Sequence, residues 1–141
     1  MHKAIRLSSP AMERWDMGLT VRYLRDIFRA MQRTMRKEVA WLGVEIKTPP
    51  FSEDARKEAG ELLGDLQEGR TPAMPHARPM PSIGARCLEL RVQDKTVTWR
   101  ILCRVDADAV IVAGVFPKKT EKTPRQEIET CRRRLAEWDR A

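Results

Sequence analysis

The stretch LELRVQDKTVTWRILCRVDADAVIVAGVF, Leu88 to Phe116, decides the fold. Leu88, Leu90 and Val92 alternate with Glu89 and Arg91, the period of a half-buried strand. Asp94-Lys95 makes a tight turn into a second strand, in which Trp99, Ile101, Cys103 and Val105 alternate with Arg100, Leu102 and Arg104. Asp106-Ala107-Asp108 then leads to Val110–Phe116, apolar on both faces and therefore expected as a covered, central strand. Connections this short require antiparallel neighbours, because a parallel crossover needs far more chain.

Outward from these strands, Val39 to Leu42 is a short apolar run ended by Gly43 and reads as a first strand. Thr48-Pro49-Pro50 breaks regular structure. Ser52 is placed to cap a helix with Glu53 and Asp54 in its first turn. Ala55, Ala59, Leu62, Leu63 and Leu66 form its buried face, and Gly69 stops it. Four prolines between Arg70 and Pro81 predict a stiff loop without regular structure, holding His76, Arg78 and Met80 in fixed positions. Thr123-Pro124 opens a last helix, with Gln126 able to complete a capping box and Ile128, Cys131, Leu135 and Trp138 as the buried stripe. Near the N-terminus, Val21, Leu24, Phe28, Met31 and Met35 share one helical stripe and Arg22, Arg25, Arg29, Arg33 and Arg36 another. That pattern fits a docked helix with a solvated basic face. It also fits an RNA-contacting or partner-binding extension, while Asp26 weakens a membrane-surface reading.

The expected architecture is α+β: an antiparallel sheet packed against helices in one domain over residues 39–141, with a basic helical extension over residues 1–38. The 141 residues suffice for one compact core. A formal charge of +7 and a pI near 9.8 make a polyanion the natural partner. No apolar run is long enough to cross a bilayer, and the N-terminus lacks the apolar segment of a signal peptide. Cys87, Cys103 and Cys131 form neither an even disulfide framework nor a metal-binding spacing, and read as reduced thiols in a cytoplasmic protein. No metal or other cofactor is implied.

Arg91, Arg100 and Arg104 alternate out of phase with the apolar residues, which predicts a basic sheet face interrupted only by Glu89, with Lys118, Lys119 and Lys122 at one corner. Clustered cations of this kind can hold a phosphate and stabilise a pentacoordinate transition state. A base is then needed for the RNA 2′-hydroxyl. His76 has a suitable intrinsic pKa, and a lysine beside another positive charge is the alternative.

The ordered run Arg78-Pro-Met-Pro-Ser-Ile-Gly84, Glu89-Leu-Arg91, Trp99-Arg100, Val115-Phe-Pro-Lys-Lys-Thr120 and Lys122-Thr-Pro124 resembles the phage-derived branch of the RelE/ParE/HigB toxin superfamily. The resemblance spans roughly Val39 to Asp139. Residues 1 to 36 lie outside it, as an added helix or as an over-extended reading frame with a start near Met31 or Met35. It implies a RelE-like fold and the toxin half of a type II toxin–antitoxin pair. The activity implied is metal-independent cleavage of mRNA, often on the ribosome, to leave 2′,3′-cyclic phosphate ends. The implied partner is a small helix-turn-helix antitoxin. Arg91, Arg100, Lys118 and Lys119 fall on the family's recurring basic positions and, with His76, are the candidate catalytic residues. Arg78, Arg104 and Lys122 are the candidate RNA contacts. Pro117 and Cys103 depart from the branch's usual polar and aromatic residues. A noncatalytic RNA- or ribosome-binding module, and an inhibitor of a host protein such as DNA gyrase, are the alternative functions.

Overall fold

The computed structural model of the chain describes residues 17–34, 36–43 and 50–141. Met35 of the N-terminal apolar stripe and the break at Thr48-Pro49 lie outside the described residues. The chain forms two units, Met1–Met35 and Arg36–Ala141. The first contains helix α1, Met17–Thr34. Within it Val21, Leu24, Ile27, Phe28 and Met31 form one exposed apolar face. Among the described residues no helix is long and apolar enough to cross a membrane.

The second unit runs β1 (Glu38–Trp41), α2 (Glu53–Gln67), β2 (Ala77–Pro79), β3 (Cys87–Asp94), β4 (Val97–Val105), β5 (Ala109–Pro117) and α3 (Arg125–Arg140). The strands form one sheet in the order β1-β5-β4-β3-β2. The pairs β2–β3, β3–β4 and β4–β5 are antiparallel, as their short connections require. The sheet as a whole is mixed, however, because β1 runs parallel to β5 with Glu38 opposite Ala109 and Trp41 opposite Val112. This corrects the all-antiparallel expectation. The intervening chain, with α2 and three strands, is long enough to bring β1 back in the same direction.

The expectation of a structureless proline loop also needs correction. Ala77–Pro79 pairs with Leu88–Leu90 as an edge strand, where the missing N–H of Pro79 falls at the strand's end.

Each face of the sheet carries one helix. Ala55, Ala59, Leu62, Leu63 and Leu66 of α2 pack with Leu90, Val92, Ile101, Cys103, Val110 and Val112. Cys131 and Leu135 of α3 pack with Cys87, Leu102, Ile111, Ala113 and Phe116 on the other side. Strand β5 is thus covered on both faces, which accounts for its unbroken apolar run. A register shift between Leu102 and Cys103, facing Gly114 and Val112, marks a bulge at Ala113. The Ala113 carbonyl there accepts a hydrogen bond from Arg134 Nη1 at 2.9 Å. Beside it α3 passes so close that a Cβ on Gly114 would stand 2.8 Å from Cys131 Sγ.

Helix α2 starts as its sequence predicts. Ser52 Oγ accepts from the Ala55 amide at 3.1 Å, and Gly69 ends the segment with φ +83°. Asp94, in the β3–β4 turn, accepts from the Ser52 amide at 3.0 Å and from Trp99 Nε1 at 3.2 Å. Those hydrogen bonds hold the Asp94 carboxyl below its ordinary pKa, the Ser52 contact first. Phe51 and Trp99 close the same corner with ring centroids 5.2 Å apart.

Helix α3 departs from expectation twice. Its N-cap is Pro124 with no side-chain cap, so the Thr123–Gln126 capping box is not formed. Trp138, at 41% exposure, is not part of the buried stripe, which sits on Cys131 and Leu135 with Ile128 partly buried.

Candidate functional site

Alternation along β3 and β4 places Glu89, Arg91, Arg100 and Arg104 on the face that α3 covers. Arg91 and Arg100 are direct cross-strand partners, with Phe116 next in the row. This is not the open basic face expected from the alternation. Arg100 is 0% and Glu89 1% exposed, because the β5–α3 connection folds back over them. Arg91 and Arg104 keep only part of their side chains in solvent.

The Arg100 guanidinium is committed to that connection. Nη2 donates to the carbonyls of Thr120 and Glu121, both at 2.7 Å, and Nη1 to Lys122 O at 3.1 Å. Its Nε lies 3.3 Å from Glu89 Oε1. The same Oε1 accepts from Arg91 Nε at 2.9 Å, and Oε2 accepts from Thr123 Oγ1 at 2.8 Å. Thr123 is therefore turned inward to the carboxylate, which is why it does not cap α3. The connection is further fixed by the Lys118 amide, which donates to Thr98 O at 2.7 Å and extends the sheet ladder. Lys119 and Lys122 point into solvent, and Lys118 is half-buried with Nζ 3.5 Å from Glu121 Oε1.

Charge balance differs sharply along this face. Arg104 has two carboxylates: Nε and Nη2 bond Asp106 at 2.8 and 2.9 Å, and Nη1 and Nη2 bond Asp139 at 3.0 and 2.7 Å. These contacts raise the Arg104 pKa and hold the Asp139 carboxyl below its usual value. Arg91 and Arg100, by contrast, share the single carboxylate of Glu89. The Nη2 of Arg91 and the Nε of Arg100 are buried without a hydrogen-bond partner. A positive surplus in a partly desolvated place attracts an anion far more strongly than a solvated lysine does.

The structure thus brings together Arg91, Arg100 and the Lys118–Lys122 connection. Arg78 stands exposed on β2, directly opposite Glu89. The His76 carbonyl accepts from the Arg91 amide at 2.8 Å, yet its imidazole goes elsewhere, with Nδ1 3.7 Å from Glu58 of α2, the helix on the opposite face. Arg104 sits further along β4 within its own pair of acids. Two residues that sequence reasoning did not assign to the site, Glu89 and Thr123, organise it. The one usable signal was Glu89 itself, a lone carboxylate in phase with three arginines.

The three thiols are core groups. Cys103 and Cys131 are each pushed up to about 12 by burial, and Cys87 is raised by the same cause.

A mixed five-stranded sheet between two helices, with buried Arg100 beside partly exposed Arg91 under a lysine-bearing connection, defines an α+β domain with a cationic corner. The chain belongs to the family of phage derived Gp49-like proteins (DUF891), which it matches over residues 49–136, from the start of α2 well into α3. No curated protein matches the chain.

Proposed function

We propose that the protein is a metal-independent endoribonuclease, the toxin half of a type II toxin–antitoxin pair. The observation that carries this reading is the surplus positive charge at Arg91 and Arg100 beneath a connection held in place and bearing Lys118, Lys119 and Lys122. Membership of a phage-derived family and the resemblance to RelE/ParE/HigB toxins support it. In this reading Arg91 contacts the scissile phosphate and Arg100 positions the lysines rather than touching RNA. The RNA 2′-hydroxyl attacks phosphorus as the bond to the 5′-oxygen breaks. Its proton passes to water, and Lys118 or Lys119 protonates the departing oxygen. The products are a 2′,3′-cyclic phosphate and a 5′-hydroxyl, a route closed to DNA. Charge on Arg91 and the lysines stabilises the phosphorane. The implied partners are mRNA, free or on the ribosome, and a small helix-turn-helix antitoxin.

Inducible expression of the full chain with mapping of RNA 5′ ends tests the proposal. New ends are expected with the wild type and are lost in Lys118→Ala/Lys119→Ala at unchanged protein level. Growth arrest with intact RNA sinks cleavage in favour of binding alone, and gyrase-linked DNA damage favours the inhibitor reading.

A further inference from the structure

Arg100 and Thr123 fasten the β5–α3 connection by two separate devices. Arg100 grips three successive carbonyls, at Thr120, Glu121 and Lys122. Thr123 grips Glu89, and Glu89 in turn orients Arg91. A single carboxylate therefore joins the arginine on the sheet to the segment that carries the lysines. Its two oxygens divide the work, with Oε1 facing the guanidiniums and Oε2 facing the hydroxyl.

We propose that Glu89 and Thr123 are positioning residues of a phosphoryl-binding site formed by Arg91 and the Lys118–Lys122 segment. They set the distance and orientation of the arginine relative to the lysines. The inference rests on the reading of this corner as the phosphate-contacting site, and it adds the residues that assemble it. The buried Arg100 and the partly exposed Arg91 share only one negative charge, so an incoming phosphoryl group supplies a second at Arg91. Two of its oxygens can accept from the planar donor fork of a guanidinium, with lysines closing the opposite side as point charges. Without the Thr123 bond the segment is still held by Arg100 and by the Lys118 amide, but Glu89 loses the contact at Oε2 that fixes how it orients Arg91. The loss then falls on ligand geometry more than on folding.

The test uses the full chain with inorganic phosphate as probe, followed by side-chain Nε–H and backbone amide resonances at constant ionic strength. Phosphate is expected to shift Arg91 Nε and the amides of residues 118–122 together, with one affinity. Thr123→Val is expected to weaken that affinity about fivefold to tenfold, with the melting temperature nearly unchanged. Thr123→Ser restores the hydroxyl and is expected to restore the affinity. A role in packing alone predicts the reverse pattern, with Val tolerated and Ser deficient. Wild-type affinity in Thr123→Val overturns the proposal, as does phosphate that leaves Arg91 untouched. Coupled phosphate binding in a chain that yields no new RNA ends keeps this inference and removes the nuclease reading.

Discussion

Arg91 and Arg100 face each other across β3 and β4 and lean on the same oxygen of Glu89, Nε to Oε1 at 2.9 and 3.3 Å. Two cations on one carboxylate, with Glu89 and Arg100 out of water and Arg91 only partly in it, is an arrangement that folding alone does not favour.

Removing one member therefore strands the others. Glu89→Gln or Arg100→Met is expected to cost about 3–5 kcal/mol, because an uncompensated charge remains buried. The double variant Glu89→Gln/Arg100→Met costs less than the sum of the two. Equilibrium denaturation by urea checks both statements, and strict additivity would falsify the coupling.

Lys118→Ala/Lys119→Ala is expected to lower RNA cleavage by about 10²-fold or more, while stability changes by less than about 1 kcal/mol, since Lys119 is exposed and half-buried Lys118 gives up only a long contact to the exposed Glu121. His76→Ala leaves the rate within about threefold, because its ring lies against Glu58 rather than at the arginine pair. Single-turnover assays on a defined RNA decide between the two, and the opposite ranking would make His76 the base.

Gly114→Ala introduces a methyl group 2.8 Å from Cys131 Sγ, under a helix that has no room to lift without uncovering Leu102 and Phe116. The expected loss is about 1–3 kcal/mol. Shortening the opposing side chain relieves the contact, so Gly114→Ala/Cys131→Ala is less destabilised than the two single losses added together. Melting temperatures of the four proteins complete the cycle.

Acid stability has a sign fixed by Asp94 and Asp139. Both carboxyls titrate lower in the folded chain, Asp94 through Ser52 and Asp139 through Arg104. Their contribution is present above the unfolded value of about 3.9 and is lost as pH falls through the folded one. Asp94→Asn and Asp139→Asn are expected to flatten the fall in melting temperature below about pH 4. An unchanged acid limb in the double variant removes these two groups as its cause.

The strands of Leu88–Phe116 and the helix from Ser52 were legible because alternation and capping act over a few residues. The parallel seat of β1 was not, since Val39 and Val110 meet only after some seventy residues of intervening chain. The candidate site was half visible. Charge type singled out Arg91 and the lysines as candidates, but alternation treats every polar residue in phase as solvated. Arg100 breaks that rule because its long fork reaches carbonyls that the sequence cannot place. Thr123 was misread for a related reason. A threonine before Pro124 is a good cap by local rules, and a carboxylate thirty-four residues away took its hydroxyl instead.

The three-residue edge strand that ends at Pro79 has a consequence for the molecule's behaviour in a crowded solution. Beyond β3 lies a ribbon too short, and with one donor missing, to template another chain. A sheet this rich in valine, isoleucine and leucine is thereby protected on that side against strand-by-strand aggregation.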